Sequence, residues 1–194
     1  MILATGNPHK VEELGEILGD IELRPLPEGV EMPPEDGDTF EANALIKARA
    51  VRAATGEEVI ADDSGIELEA LGGRPGVRSA RYAGESASDE ENLAKALRDL
   101  KDSGGPPAAR YVCVIALIDR DGAEHLFEGA CTGRIVPEPR GDGGFGYDPA
   151  FVPDETGEAD QRTMAEMTPE EKHAISHRGK AARKLAEYLA ERSG

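Results

Sequence analysis

The runs "ARYVCVIALID" (residues 109–119) and "HLFEGACTGRIV" (125–136) flank the turn "DRDG", and their reading decides the fold class. Two stretches rich in branched residues on either side of an Asp/Gly turn predict an antiparallel hairpin. Upstream of it, strands and helices alternate. "MILAT" (1–5) reads as a buried strand, then Asn7 caps a helix with Pro8 in its first position and Val11, Leu14 and Leu18 on one face. Residues 21–26 read as another short strand, and 27–38 as a loop of Pro, Gly and acids. Asp38 with Glu41 predicts a capped helix to about residue 54, and "EVIAD" (58–62) a strand. Ser88 with Glu91 starts a helix carrying Leu93, Leu97 and Leu100, which "KDSGGPP" (101–107) ends. An alternation broken by a hairpin predicts an α/β chain with a mixed sheet instead of a purely parallel one. Beyond the hairpin come a glycine-rich loop (137–149), a short "AFV" strand, a helix start at Thr168, Pro169 and Glu171, and an amphipathic helix from Lys180 to Glu191.

A chain of 194 residues fits one domain, or one domain with two lobes, and buries a real core. Its net charge of −17 argues against a broad nucleic-acid surface and against an anionic membrane, while leaving room for a small phosphorylated ligand. No apolar run approaches the roughly eighteen residues of a membrane span. The opening "MILATGNPHK" has a short apolar run and no basic leader, which reads as no secretory signal. Cys113 and Cys131 read as buried free thiols in a reducing compartment.

"EEVIADDSGIELEALGG" (57–73) sets Asp62 beside Asp63. In a continuing strand the two face opposite ways; at a strand end both reach one cleft, where Glu35 could add a third carboxylate for Mg²⁺. The alternative is a polar turn over Asp63, Ser64 and Gly65. In "ATGNPHK", Thr5 and Asn7 can donate to phosphate, Gly6 permits close backbone approach, and Lys10 follows one turn in. An ordinary strand–cap–helix join reads the same residues equally simply. Lys47 shares a helix face with Asn43, either lining a cleft or standing in solvent. "GDGGFGYDPAF" (141–151) gathers Phe145, Tyr147 and Phe151 with Gly146 and Asp148. These aromatics either stack on a flat base or anchor the loop, and Asp148 either accepts from a ring N–H or fixes the turn. "EEKHAISHRG" (170–179) is the densest group: Lys172 and Arg178 can neutralise phosphate, and His177 with Arg178 can donate to a base carbonyl.

Taken in order, five motifs resemble the non-canonical purine nucleoside triphosphate pyrophosphatases, also called inosine/xanthosine triphosphate pyrophosphatases. They are "LATGNPHK" (3–10), "TFEANALIKA" (39–48), "ADDSGIELEALGGRPGVRSARYAG" (61–84), "GGFGYDPAF" (143–151) and "EMTPEEKHAISHRGKA" (166–181). The resemblance implies Mg²⁺-dependent hydrolysis of ITP, dITP and XTP to monophosphate and pyrophosphate, in the cytoplasm and as a homodimer. It implies an elongated two-lobed α/β fold, with a central twisted mixed sheet, flanking helices and a cleft between the lobes. Thr5, Gly6, Asn7, Lys10 and Lys47 then fall at phosphate-binding positions, Glu35, Asp62 and Asp63 at metal-binding ones, and Asp63 at the catalytic acid. Ser64, Phe145, Gly146, Tyr147, Asp148 and Lys172 fall at substrate contacts, with His177 and Arg178 reading the purine's oxo groups. In this chain the early acid sits in Pro34-Glu35-Asp36-Gly37, so Asp36 competes with Glu35 for its role. A related septum-inhibition family acting on pyrimidine nucleotides, a non-catalytic nucleotide sensor and a plain interaction protein are the competing readings. The first is not expected to carry the "SHRGKA" ending.

Overall fold

A computed structural model describes residues 1–19 and 21–193. Five strands lie in the order β1 (Ile2–Leu3), β2 (Val59–Leu68), β3 (Ala108–Ile118), β4 (Glu124–Ile135), β5 (Phe151–Pro153). β1 runs parallel to β2 in the register Ile2 to Val59, whereas β5 runs antiparallel to β4 with Phe151 opposite Ile135. The sheet is therefore mixed, as the interrupted alternation predicts. The hairpin forms at the expected place: Asp119 N donates to Ala123 O at 3.0 Å, and the Asp119 carboxylate accepts from the amides of Asp121 and Ala123. The expected strand at 21–26 shrinks to one parallel bridge between Arg24 and Ile2. Met1 O and Leu3 N already take up the backbone groups of Arg24, and no longer ladder develops.

Helix starts follow their caps. α1 (Pro8–Leu18) begins at Asn7, whose Oδ1 accepts from His9 N at 3.0 Å. α2 (Phe40–Thr55) is capped by Thr39 and not by the expected Asp38, because Thr39 Oγ1 is the acceptor for Ala42 N. Full capping boxes start α3 (Asp89–Ser103) at Ser88/Glu91 and α4 (Pro169–Ile175) at Thr168/Glu171, as read. Ser176 is extended, and α5 (His177–Ser193) follows directly.

The chain divides into two compact units. The first holds Met1–Asp63, Cys113–Gly129 and Arg178–Gly194; the second holds Ser64–Val112 and Ala130–His177. In the first, Leu14 and Leu18 of α1 and Ala181, Ala182, Leu185 and Leu189 of α5 pack with Leu3, Ile60, Cys113, Ile115 and Leu117 of the strands. In the second, Leu93 and Ala96 of α3 join Ile66, Leu68, Tyr111, Cys131, Ile135, Tyr147, Phe151 and Met164. Each fully buried leucine or isoleucine contributes about 1.5–3 kcal/mol, so these two cores are rigid supports for the polar residues that interrupt them.

Candidate active site

β2 continues through the acidic pair instead of ending at it. Asp62 and Asp63 are strand residues, 0% and 4% exposed, and the alternation of the pleat sends each to its own cation. Lys10 Nζ lies 3.0 Å and Arg178 Nη2 3.4 Å from Asp62 Oδ2, and Arg178 also pairs with Glu13 of α1. Lys47 Nζ lies 3.2 Å from Asp63 Oδ1 and 2.7 Å from Glu35 Oε1. All these residues belong to the first unit. Burial alone would push the Asp62 carboxyl up strongly, but Lys10, Arg178 and Lys47 outweigh it and hold the group below the usual carboxylate range. Asp63 goes the other way. Burial raises it first, Lys47 and Lys10 oppose, and the neighbouring charges of Glu35 and Asp62 raise it further. Burial works against the Lys47 ammonium, yet Asp63, Asp62 and Glu35 together keep its pKa raised. One lysine between two acids cannot compensate both. Asp63 is the carboxylate left nearest to taking a proton.

The two acids of the early loop differ in their surroundings. Glu35 reaches Lys47, while Asp36 is exposed. Gly37 N donates to Asn43 Oδ1 at 2.8 Å, which fastens this loop to α2 one turn before Lys47. A Cβ at Gly37 would come within 2.7 Å of Asn43 Oδ1 and 2.9 Å of Ala42 Cβ, so glycine is needed for that approach. Thr5 and Asn7 serve the α1 start, with Asn7 N donating to Thr5 Oγ1 and Asn7 Oδ1 acting as the cap. Gly6 is exposed beside them.

The donor set suits a hard cation. Asp63 Oδ2 is buried and accepts no hydrogen bond, and Glu35 supplies a second carboxylate on the same lysine. Mg²⁺ is held by one or two carboxylates with waters and substrate phosphates completing its shell, so two such oxygen donors fit it. Among the described residues, no group of three or more His, Cys, Asp or Glu side chains is arranged to hold a metal alone.

A second polar cluster lies within the second unit. Asp148 is 2% exposed: its Oδ1 accepts from Tyr111 OH at 3.1 Å, and its Oδ2 from Lys172 Nζ at 2.7 Å and Phe145 N at 3.0 Å. Lys172 Nζ also lies 5.0 Å from the centre of the half-buried Phe145 ring. Gly144 has φ +67, and a Cβ there would meet Asp148 Oδ2 at 2.3 Å. The loop therefore closes on Asp148 only with glycine at that position. Gly146 N donates to Asp89 Oδ2 at 2.9 Å. Tyr147 and Phe151 are anchors, buried in the core, with Tyr147 OH donating to Ser79 O at 2.8 Å. Ser64 is half-buried at the start of the unit.

Neighbours in sequence, His177 and Arg178 have different partners. The His177 ring stacks on Tyr111 in the second unit, at 4.5 Å and 4° between planes, whereas Arg178 joins Asp62 and Glu13 in the first. Two participants, Tyr111 and Glu13, escaped the sequence reading. Glu13 follows Lys10 by three positions on α1, so the two share a helix face, which was the available signal. Nothing in an apolar strand marked Tyr111.

The chain is thus a mixed-sheet α/β protein with a lysine–carboxylate cluster in its first unit and an aspartate–lysine–aromatic cluster in its second. A profile of the Ham1 family matches residues 1–188, and the chain belongs to that family. It is 49% identical to a dITP/XTP pyrophosphatase of Thermus thermophilus over 192 residues, covering 96% of this chain and 90% of that one. Identity to the dITP/XTP pyrophosphatase of Yersinia pseudotuberculosis is 45%, with 97% of each chain covered. Among solved structures, a HAM1 protein from Coxiella burnetii superposes with a TM-score of 0.88 at 42% identity, covering 98% of both chains. The nucleoside-triphosphatase, dITP/XTP pyrophosphatase of Mycobacterium abscessus gives 0.75 at 44%, covering 95% of this chain and 97% of its own.

Proposed function

We infer that the chain is a nucleoside-triphosphate pyrophosphatase that hydrolyses non-canonical purine nucleotides, ITP, dITP and XTP, to monophosphate and pyrophosphate, clearing them from the nucleotide pool. The observation that carries this reading is the Glu35–Lys47–Asp63 group, in which Lys47 and Asp63 are buried, Glu35 is half-buried and one Asp63 oxygen is unbonded. Attack on a polyphosphate is slow because its oxygens repel the nucleophile and the leaving group carries charge. Lys10 and Lys47 offset that charge, and backbone N–H groups at the α1 start near Thr5, Gly6 and Asn7 add to it. Asp63, its pKa raised by burial, accepts the proton of a water aligned with the leaving oxygen. Glu35 and Asp63 would hold Mg²⁺, which when bound neutralises phosphate oxygens. Asp62, expected beside them as a metal ligand, is read instead as support, because its Oδ2 pairs with Lys10 and Arg178.

Base recognition falls to Phe145 by stacking, with Ser64, Gly146, Tyr147, Asp148 and Lys172 shaping its surroundings. His177 and Arg178 donate to O6 of a 6-oxopurine. Adenine presents a donor at that position, which leaves those donors unpaired and lowers its turnover. The reading includes a homodimer in the cytoplasm; among the described residues no helix is long and apolar enough to cross a membrane.

The test is a panel of ITP, dITP, XTP, GTP, ATP and dTTP with Mg²⁺, reading monophosphate and pyrophosphate together. Equimolar release of both, greatest for ITP, dITP and XTP, supports the reading. Orthophosphate as the first product, or preference for dTTP, rejects it. Binding of ITP without turnover would make the chain a sensor.

A further inference from the structure

We propose that Tyr111 is a positioning residue for base discrimination, holding the His177 ring and the Asp148 carboxylate in one fixed arrangement; this rests on the function inferred above. Tyr111 is 6% exposed, on β3, with its ring edge-on to Phe151 at 4.8 Å and 64°. A position of that kind needs only phenylalanine for packing. A buried hydroxyl carries a desolvation cost unless it has a partner, and here the partner is Asp148 Oδ1. Burial, with Asp148 alongside, raises the phenol well above its ordinary value, so Tyr111 remains a donor at every working pH.

The consequence lies in counting lone pairs. A carboxylate has about four acceptor sites, and three on Asp148 are taken by Tyr111 OH, Lys172 Nζ and Phe145 N. The remaining site is on Oδ1, and the Tyr111 bond fixes where it points. A 6-oxopurine carries N1–H, a donor that such a site accepts; adenine has no proton on N1. On its other side Tyr111 stacks nearly parallel to His177, fixing the plane in which the imidazole presents its ring nitrogens. One side chain thus orients an acceptor and a ring, each matched to the feature that distinguishes hypoxanthine and xanthine from adenine.

The experiment compares Tyr111→Phe, Tyr111→Leu and Asp148→Asn with wild type, measuring kcat and KM for ITP and ATP and the melting temperature of each. Tyr111→Phe keeps the ring and removes the hydroxyl, with its bond to Asp148 and its backbone hydrogen bond at Tyr147. It is expected to lower kcat/KM for ITP about tenfold, the loss of one hydrogen bond to a charged group, chiefly through KM and with little change for ATP. Tyr111→Leu, which also removes the stack on His177, is expected to lose more. Equal losses for ITP and ATP, or no loss in Tyr111→Phe, make Tyr111 a core residue and overturn the proposal. Should Asp148→Asn leave the ITP to ATP ratio untouched, the base-recognition reading itself fails and the proposal falls with it.

Discussion

Asp63 is the residue where geometry and charge combine most tightly. It shares Lys47 with Glu35, keeps one oxygen unbonded, and has its pKa raised first by burial and then by the adjoining acids. Asp63→Asn is expected to cut kcat about 10²–10⁴-fold, the usual contribution of a positioned acid–base group, while nucleotide binding persists. Stability should move in the opposite sense. A carboxyl whose folded pKa lies above its unfolded value contributes stability below the unfolded pKa, near 3.9, and loses it as pH rises through the folded pKa. Asparagine carries no such loss. Melting curves of Asp63→Asn should therefore match or exceed wild type at pH 7–8, with the advantage vanishing toward pH 4. A variant that melts well below wild type at neutral pH would mean that the Lys47 pair outweighs burial. Wild-type turnover in the variant would remove Asp63 from the chemistry.

At the scale of elements, the parts of the fold that local sequence encodes were legible. The Ser88/Glu91 and Thr168/Glu171 boxes and the Asp/Gly hairpin turn stand where the residues place them, whereas the last helix begins at His177, before the expected Lys180. What failed depends on partners far along the chain. β2 runs through two aspartates because Lys10, Lys47 and Arg178 meet them, and no local pattern announces cations so distant in sequence. The 21–26 run had strand-like residues but only β1, two residues long, to pair with. Residue type and spacing nominated the site residues and the motif resemblance gave them roles, whereas Tyr111 and Glu13 act through contacts that a single sequence does not reveal. The join between the early loop and α2 yields a prediction. Gly37 N donates to Asn43 Oδ1 at 2.8 Å, and an added Cβ would collide with Asn43 Oδ1, breaking that bond if the side chain turns away, and with Ala42 Cβ, which cannot withdraw without moving the helix start. Gly37→Ala should thus displace Glu35 from Lys47 and raise the Mg²⁺ concentration needed for half-maximal activity several-fold, with much of kcat recovered at saturation. A Mg²⁺ titration superimposable on wild type would show that Glu35 has no part in holding the metal.

The whole molecule carries a net charge of −17 but buries its key cations, so its surface is dominated by acids. Two electrostatic effects then compete as salt is added. Exposed pairs such as Arg49–Glu124 and Arg78–Glu85 weaken, but such pairs contribute only about 0–1 kcal/mol each. Self-repulsion among the unmatched acids is long-ranged, and at about 0.1 M salt it is screened beyond roughly 10 Å. The buried groups, Lys47 with Asp63 and Lys172 with Asp148, lie at 3.2 and 2.7 Å and are screened little. Repulsion should therefore be the component that salt removes. Raising NaCl from about 0.02 to 0.3 M at pH 7.5 is expected to raise the melting temperature, more at pH 8 than at pH 5, where part of the surface charge is neutralised. Sodium sulfate would confound the result by strengthening apolar burial, so chloride is the salt to use. A melting temperature that falls with NaCl would mean that the exposed ion pairs, and not the acid excess, govern the stability of this surface.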